Sequence, residues 1–127
     1  MADWQTALET VAAAYARGTL EKDARTISEA YRLKTGEGRR LLTRKSEAAA
    51  YALSRMPATV EAAKAALTEA LAATGLAPKT LLDCGAGTGA VTFAADALLG
   101  LERATCLERE TAMRAVGQQL MREAGGV

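Results

Sequence analysis

Lys79-Thr80-Leu81-Leu82-Asp83-Cys84-Gly85-Ala86-Gly87-Thr88-Gly89 is the stretch on which the reading of this chain turns. A short apolar run ends in an acid and breaks into three alternate glycines. Leu81 and Leu82 belong on a buried strand that Asp83 closes. Gly85, Gly87 and Gly89 allow the following turn to bring backbone N–H groups close to a ligand. Thr88 is placed to cap the next helix, along which Val91, Ala94, Ala95, Leu98 and Leu99 recur at helical spacing until Gly100. Ala104 to Leu107 then reads as a second short strand, and Glu108 ends it.

Glu108 stands about 20 residues beyond the glycines, where a nucleotide-type ribose is commonly held by a carboxylate. Read without the glycines, it is equally a strand-end residue paired with Arg103 or Arg109. Strand, glycine turn, helix, strand and acid together make half of a Rossmann-like site. Two ligands compete for it, because Gly85-x-Gly87-x-x-Ala90 also satisfies the dinucleotide fingerprint when alanine takes the third position. Asp83 decides between them. A pyrophosphate over the turn would be repelled by that carboxylate by roughly 1 to 4 kcal/mol at surface-like dielectric. The sulfonium and ammonium groups of S-adenosylmethionine would be attracted, so the site reads as adenosylmethionine-binding.

The run Asp83-x-Gly85-x-Gly87-x-Gly89 resembles the first motif of class I methyltransferases, and Glu108-Arg109-Glu110-Thr111-Ala112-Met113 resembles their second, acidic motif. A closer resemblance lies upstream. Ser46-Glu47-Ala48-Ala49-Ala50-Tyr51-Ala52-Leu53-Ser54-Arg55-Met56-Pro57-Ala58-Thr59, followed by a helix and then by the two motifs, is similar to the N-terminal part of the mitoribosomal small-subunit methyltransferase-like family and its bacterial relatives. It covers about residues 20 to 124. It implies an adenosylmethionine-binding protein linked to small ribosomal subunit assembly or ribosomal RNA, with Asp83, Gly85, Gly87, Gly89 and Glu108 as cofactor-binding residues. Arg55 and Pro57 match the signature without an assigned role. Pro57 reads as a helix breaker, and Arg55 as a surface residue or a polar reach toward pocket or RNA.

The fold class expected is therefore α/β. A helical region over residues 1–75 precedes, over residues 76–127, the first β-α-β-α half of a Rossmann-like class I methyltransferase fold, truncated. At 127 residues there is room for one ordinary domain, with two strand candidates and a last helix through Met113, Val116, Leu120 and Met121. The acceptor-side half is not in this sequence, so no catalytic residue is nominated. Binding can be argued; turnover cannot. Unpaired strand edges in such a half predict a homodimer.

Histidine is absent, which removes the commonest general base near neutral pH and the commonest metal ligand. Cys84 and Cys106 have neither C-x-x-C spacing nor a histidine partner and give no metal site; they read as small strand residues in a reduced compartment. Asp3 and Glu9 interrupt any signal peptide, and no run approaches the roughly 18 apolar residues of a membrane span, so no membrane role and a cytoplasmic address are expected.

The first 75 residues are rich in alanine and helical in period. Asp3 caps a helix carrying Trp4, Leu8, Val11 and Tyr15 that Gly18 ends. A second helix runs from Thr19 through Leu20, Ala24, Ile27 and Tyr31 until Lys34-Thr35-Gly36-Glu37-Gly38 breaks it. Ser46 caps a third helix that Pro57 stops, and Thr59 starts a fourth. From Arg17 to Lys45 there are nine basic and four acidic residues, a local net of +5 in a chain whose total is +1. An RNA backbone would find counter-charge there, concentrated near residues 34–45; a solvated helical face with a basic loop reads the same way. Three functions stay open: a methyltransferase or part of one, an RNA-contacting assembly module with a vestigial cofactor site, and an NAD-type dinucleotide binder.

Overall fold

The computed structural model describes residues 3–15, 17–33 and 44–125 of the chain. Its elements run α1 (Trp4–Ala12), α2 (Arg17–Leu33), α3 (Lys45–Thr74), β1 (Thr80–Cys84), α4 (Ala90–Leu99), β2 (Arg103–Leu107) and α5 (Thr111–Glu123). The architecture is α/β: a helical N-terminal region, then a two-stranded parallel sheet and its helices in the order of a Rossmann-like half. β1 and β2 pair in parallel with Leu81 opposite Ala104 and Asp83 opposite Cys106, and α4 makes the crossover that parallel pairing requires.

Asp3 caps α1 as its position suggests, its carboxylate accepting the Gln5 N–H at 3.0 Å and the Thr6 hydroxyl at 3.2 Å. α1 then closes at Ala12, well before Gly18, and α2 begins at Arg17 rather than Thr19, so Gly18 lies inside a helix. The expected break at Lys34 to Gly38 lies outside the described residues. So does most of the basic loop; Lys22 and Arg25 on α2 and Lys45 at the start of α3 are exposed.

The largest departure from expectation is α3. Pro57 neither stops a helix nor separates two; it sits inside one continuous 30-residue helix. An interior proline costs about 3 kcal/mol because it removes one hydrogen bond and crowds the preceding turn. Against this, Ala48, Ala52, Met56 and Val60 follow one another at four-residue spacing and are all buried, so a break at Pro57 would split a continuous packed face. The flanking alanines favour helix on both sides. Ser46 does not cap it either: Arg44 holds the N-cap position, and Glu47 reaches back to accept the Arg44 N–H at 3.1 Å. The Arg44 guanidinium also bridges Glu47 at 3.0 Å and the buried Asp23 of α2 at 3.2 Å. It is held above the usual arginine range first by its hydrogen bond to Glu47, then by the charges of Glu47 and Asp23. That bridge fastens α2 to the head of α3.

The core lies between helices. Leu8 and Val11 of α1, Met56 and Val60 of α3, Phe93 and Ala94 of α4, and Val116 and Leu120 of α5 form one buried cluster. On α4 only part of the expected stripe is buried. Ala94 and Ala95 are, whereas Val91 and Leu98 are exposed and Phe93 and Thr92 take their places. On the strands, alternation places Leu81 and Asp83 with Ala104 and Cys106 on one face, and Leu82 and Cys84 with Thr105 and Leu107 on the other. α4 covers the first face. Leu82, expected to be buried, is 61% exposed, and Leu107 is 53% exposed. Among the described residues no helix is long and apolar enough to cross a membrane.

Candidate functional site

The glycine turn between β1 and α4 is held by its own neighbours. The Leu107 carbonyl at the end of β2 accepts both the Gly85 N–H, at 2.8 Å, and the Ala86 N–H, at 2.9 Å. The Gly89 N–H closes on the Ala86 carbonyl at 2.9 Å. Gly85, Gly87 and Gly89 all have positive φ, from 59° to 95°, a region costly for any residue with a side chain. Gly89, not Thr88, is the N-cap of α4; the Thr88 hydroxyl instead turns inward and lies 3.8 Å from the Met56 sulfur of α3.

Glu108 joins this turn directly. One carboxylate oxygen accepts the Gly87 N–H at 2.7 Å and the other accepts the Glu110 N–H at 2.9 Å. Arg109 pairs with Glu110 instead, at 3.6 Å. The acid expected at a ribose is thus fixed at the rim of the glycine turn by two backbone donors, and each oxygen keeps a lone pair for a ligand hydroxyl. A pyrophosphate would meet a different surface, since the N–H groups of Gly85, Ala86, Gly87 and Gly89 already have acceptors and one of these is an anion.

Asp83 lies under the turn rather than in its mouth. It is 9% exposed, and its carboxylate accepts the Thr92 hydroxyl of α4 at 2.9 Å; the same hydroxyl is 3.3 Å from the Cys106 sulfur. Its carboxylate therefore faces α4.

A cavity of about 360 Å³ opens above the turn. Ala86 to Gly89 floor it, Cys106 and Glu108 stand at the strand end, and α5 supplies Arg114, Gln118, Met121 and Arg122. This volume falls within the range of small-molecule sites. A wider depression shares Cys106, Glu108 and Arg114 and adds Gly85. Of the five residues expected at the cofactor, Gly87, Gly89 and Glu108 line the cavity, Gly85 lines its extension, and Asp83 lines neither. Arg55 lies exposed on α3, away from both.

The α5 wall escaped sequence reasoning because Arg114, Gln118 and Arg122, four residues apart, have the pattern of an ordinary solvated face. Gly117 was the available signal. A glycine within a helix costs about 1 kcal/mol and wants a reason. Here a side chain at 117 would begin 3.2 Å from the Gly87 carbonyl oxygen and 3.3 Å from the Thr88 Cα. Its absence lets α5 lie directly on the turn.

Residues 45–127 match the family described as mitochondrial small ribosomal subunit Rsm22. The match takes in α3, the glycine turn, Glu108 and α5. No individual curated protein matches the chain. The cytoplasmic address expected from the sequence is corrected by this finding, because the family is described as mitochondrial. The interruption of a secretory signal pattern by Asp3 and Glu9 and the lack of a long apolar run do not distinguish cytoplasm from organelle.

Proposed function

The chain belongs to the mitochondrial small ribosomal subunit Rsm22 family, and from that premise we propose that it is a methyltransferase-like protein whose glycine-turn cavity takes S-adenosylmethionine. The family ties it to the small ribosomal subunit. Residues 76–127 form the cofactor half in this reading, with Asp83, Gly85, Gly87, Gly89 and Glu108 as its binding residues, and residues 1–75 form the helical region beside it.

The observation that carries the proposal is Glu108 fastened to the Gly87 N–H beside the cavity. The contact holds a carboxylate at the rim of a glycine turn, which favours a ligand with ribose hydroxyls, and its negative charge disfavours a dinucleotide's phosphates. Adenosylmethionine combines a ribose with cationic groups and no phosphate, so it suits both conditions. Isothermal titration tests this. Adenosylmethionine is expected to bind and NAD not to, and Glu108→Ala is expected to weaken adenosylmethionine at least about tenfold, equivalent to about 1.4 kcal/mol. Heat from NAD but none from adenosylmethionine would reverse the assignment.

Methyl transfer itself would require an acceptor-binding part. A second reading, an RNA-contacting assembly module, is favoured by the +5 excess between Arg17 and Lys45, of which Lys22, Arg25 and Lys45 are exposed. On that reading, affinity for a single-stranded RNA falls steeply between 50 and 200 mM salt, by about tenfold or more if several phosphates are contacted. A flat salt response excludes it.

A further inference from the structure

The main buried cluster draws on α1, α3, α4 and α5 and takes no described side chain from α2. Among the described side chains of α2 only Leu20 and Asp23 are buried. Leu20 meets Ala49 and Ala50 of α3 in a separate small cluster, with Ala12, Tyr15 and Ala24 packed at its edge. Apart from Leu20 and Tyr15 these side chains are single methyl groups, so the apolar surface that holds α2 is small. The other anchor is a carboxylate.

Asp23 is 5% exposed, and one of its oxygens accepts from the Arg44 guanidinium at 3.2 Å. The other, Oδ2, is buried and accepts no hydrogen bond. A buried carboxylate with an unfilled acceptor opposes docking, because water satisfies that oxygen once α2 lifts away. Arg44 is equally ready for separation. Its side chain is 67% exposed, and its bridge to Glu47 at 3.0 Å lies within the head of α3 and does not depend on α2. Both halves of the Asp23–Arg44 bridge thus find partners when α2 is undocked, whereas the docked arrangement leaves one oxygen bare.

We propose that α2 is a detachable helix, which leaves α3 as a unit while α1, α3, α4, α5 and the two strands keep their packing, and that Asp23 sets the balance. An apolar side chain at position 23 would seal the joint; the aspartate keeps it reversible. Undocking uncovers Leu20, Ala49 and Ala50, an apolar patch that the docked helix hides. Neither the glycine-turn cavity nor its ligand takes part, so the device is independent of the cofactor reading.

Native-state hydrogen exchange, followed by mass spectrometry on the full chain, tests this with wild type, Asp23→Leu and Arg44→Met. In wild type the amides of α2 are expected to exchange at least about tenfold faster than those of α5, which Val116 and Leu120 anchor in the main core. Asp23→Leu removes the bare oxygen and adds apolar contact, and is expected to slow α2 about tenfold. Arg44→Met strips the buried carboxylate of its partner and is expected to speed α2 about tenfold. Exchange of α5 is expected to be alike in all three proteins, which also shows that each variant folds. A common rate for α2 and α5 in wild type would mean one cooperative unit and overturn the proposal. Faster exchange of α2 in Asp23→Leu would make the aspartate a net tie and overturn it as well. So would α2 amides that exchange in wild type as fast as an unstructured peptide, since there would be no docked state to leave.

Discussion

Gly117→Leu should lower the stability of the chain by about 3 kcal/mol and abolish ligand binding at the glycine turn, whereas Gly117→Ala should be close to neutral. The difference follows from what surrounds position 117. A Cβ there would lie 3.2 Å from the Gly87 oxygen, 3.3 Å from the Thr88 Cα and 3.4 Å from the Thr88 carbonyl carbon. Neither side can retreat far. α5 is anchored by Val116 and Leu120, at 1% and 0% exposure, and the turn is tied to the end of β2 through Gly85, Ala86 and Gly87.

Alanine needs a shift of a few tenths of an ångström, and its better helix propensity returns up to about 1 kcal/mol, so the two effects nearly cancel. Leucine adds three more carbons to the same contact. Relief then requires lifting α5 off the turn, which opens the core at Leu120 and removes the cavity wall that carries Arg122. Urea unfolding of the three proteins, with titration of adenosylmethionine at low denaturant, checks the prediction. A leucine variant that unfolds at the wild-type midpoint would show that α5 does not rest on the turn.

How much of this was legible in the sequence depended on where the deciding contacts lie. The glycine turn, the two strands and Glu108 could be read because their chemistry is local: alternate glycines demand positive φ, and an acid follows the next strand at a known distance. The buried face of α4 could not, since Ala-Val-Thr-Phe-Ala-Ala-Asp-Ala-Leu-Leu is apolar almost all round and its period selects no side. Tertiary packing chose Phe93 and Ala94 over Val91 and Leu98. Strand alternation did contain the answer for Leu82: if Asp83 faces α4, its neighbour faces away. At Pro57 the intrinsic cost of an interior proline competes with the four-residue spacing of Ala48, Ala52, Met56 and Val60 that runs through it, and the packed face wins. The α5 wall was hidden for another reason, since nothing in Arg114, Gln118 and Arg122 tells a solvent-facing stripe from one that faces a cavity.

Met56→Ala should be the most damaging change in the upstream helix, costing about 2–5 kcal/mol, and it links that helix to the site. Met56 is 1% exposed at the centre of the buried face of α3, so truncation leaves a cavity that the surrounding helices, held together by one core, cannot fill. It also removes the sulfur nearest the Thr88 hydroxyl, itself only 2% exposed. A thioether is a weak acceptor and the contact is long, but a buried hydroxyl left with nothing costs about 1 kcal/mol or more. Met56→Leu separates the two contributions, because it conserves volume, at a cost below about 1.5 kcal/mol, and loses only the sulfur. If the sulfur helps to seat the turn, Met56→Leu will melt within a few degrees of wild type yet bind adenosylmethionine more weakly. If Met56 only fills space, the leucine variant will bind as wild type does, and the Ser46–Thr59 segment will matter to the site only through the uninterrupted helix it builds.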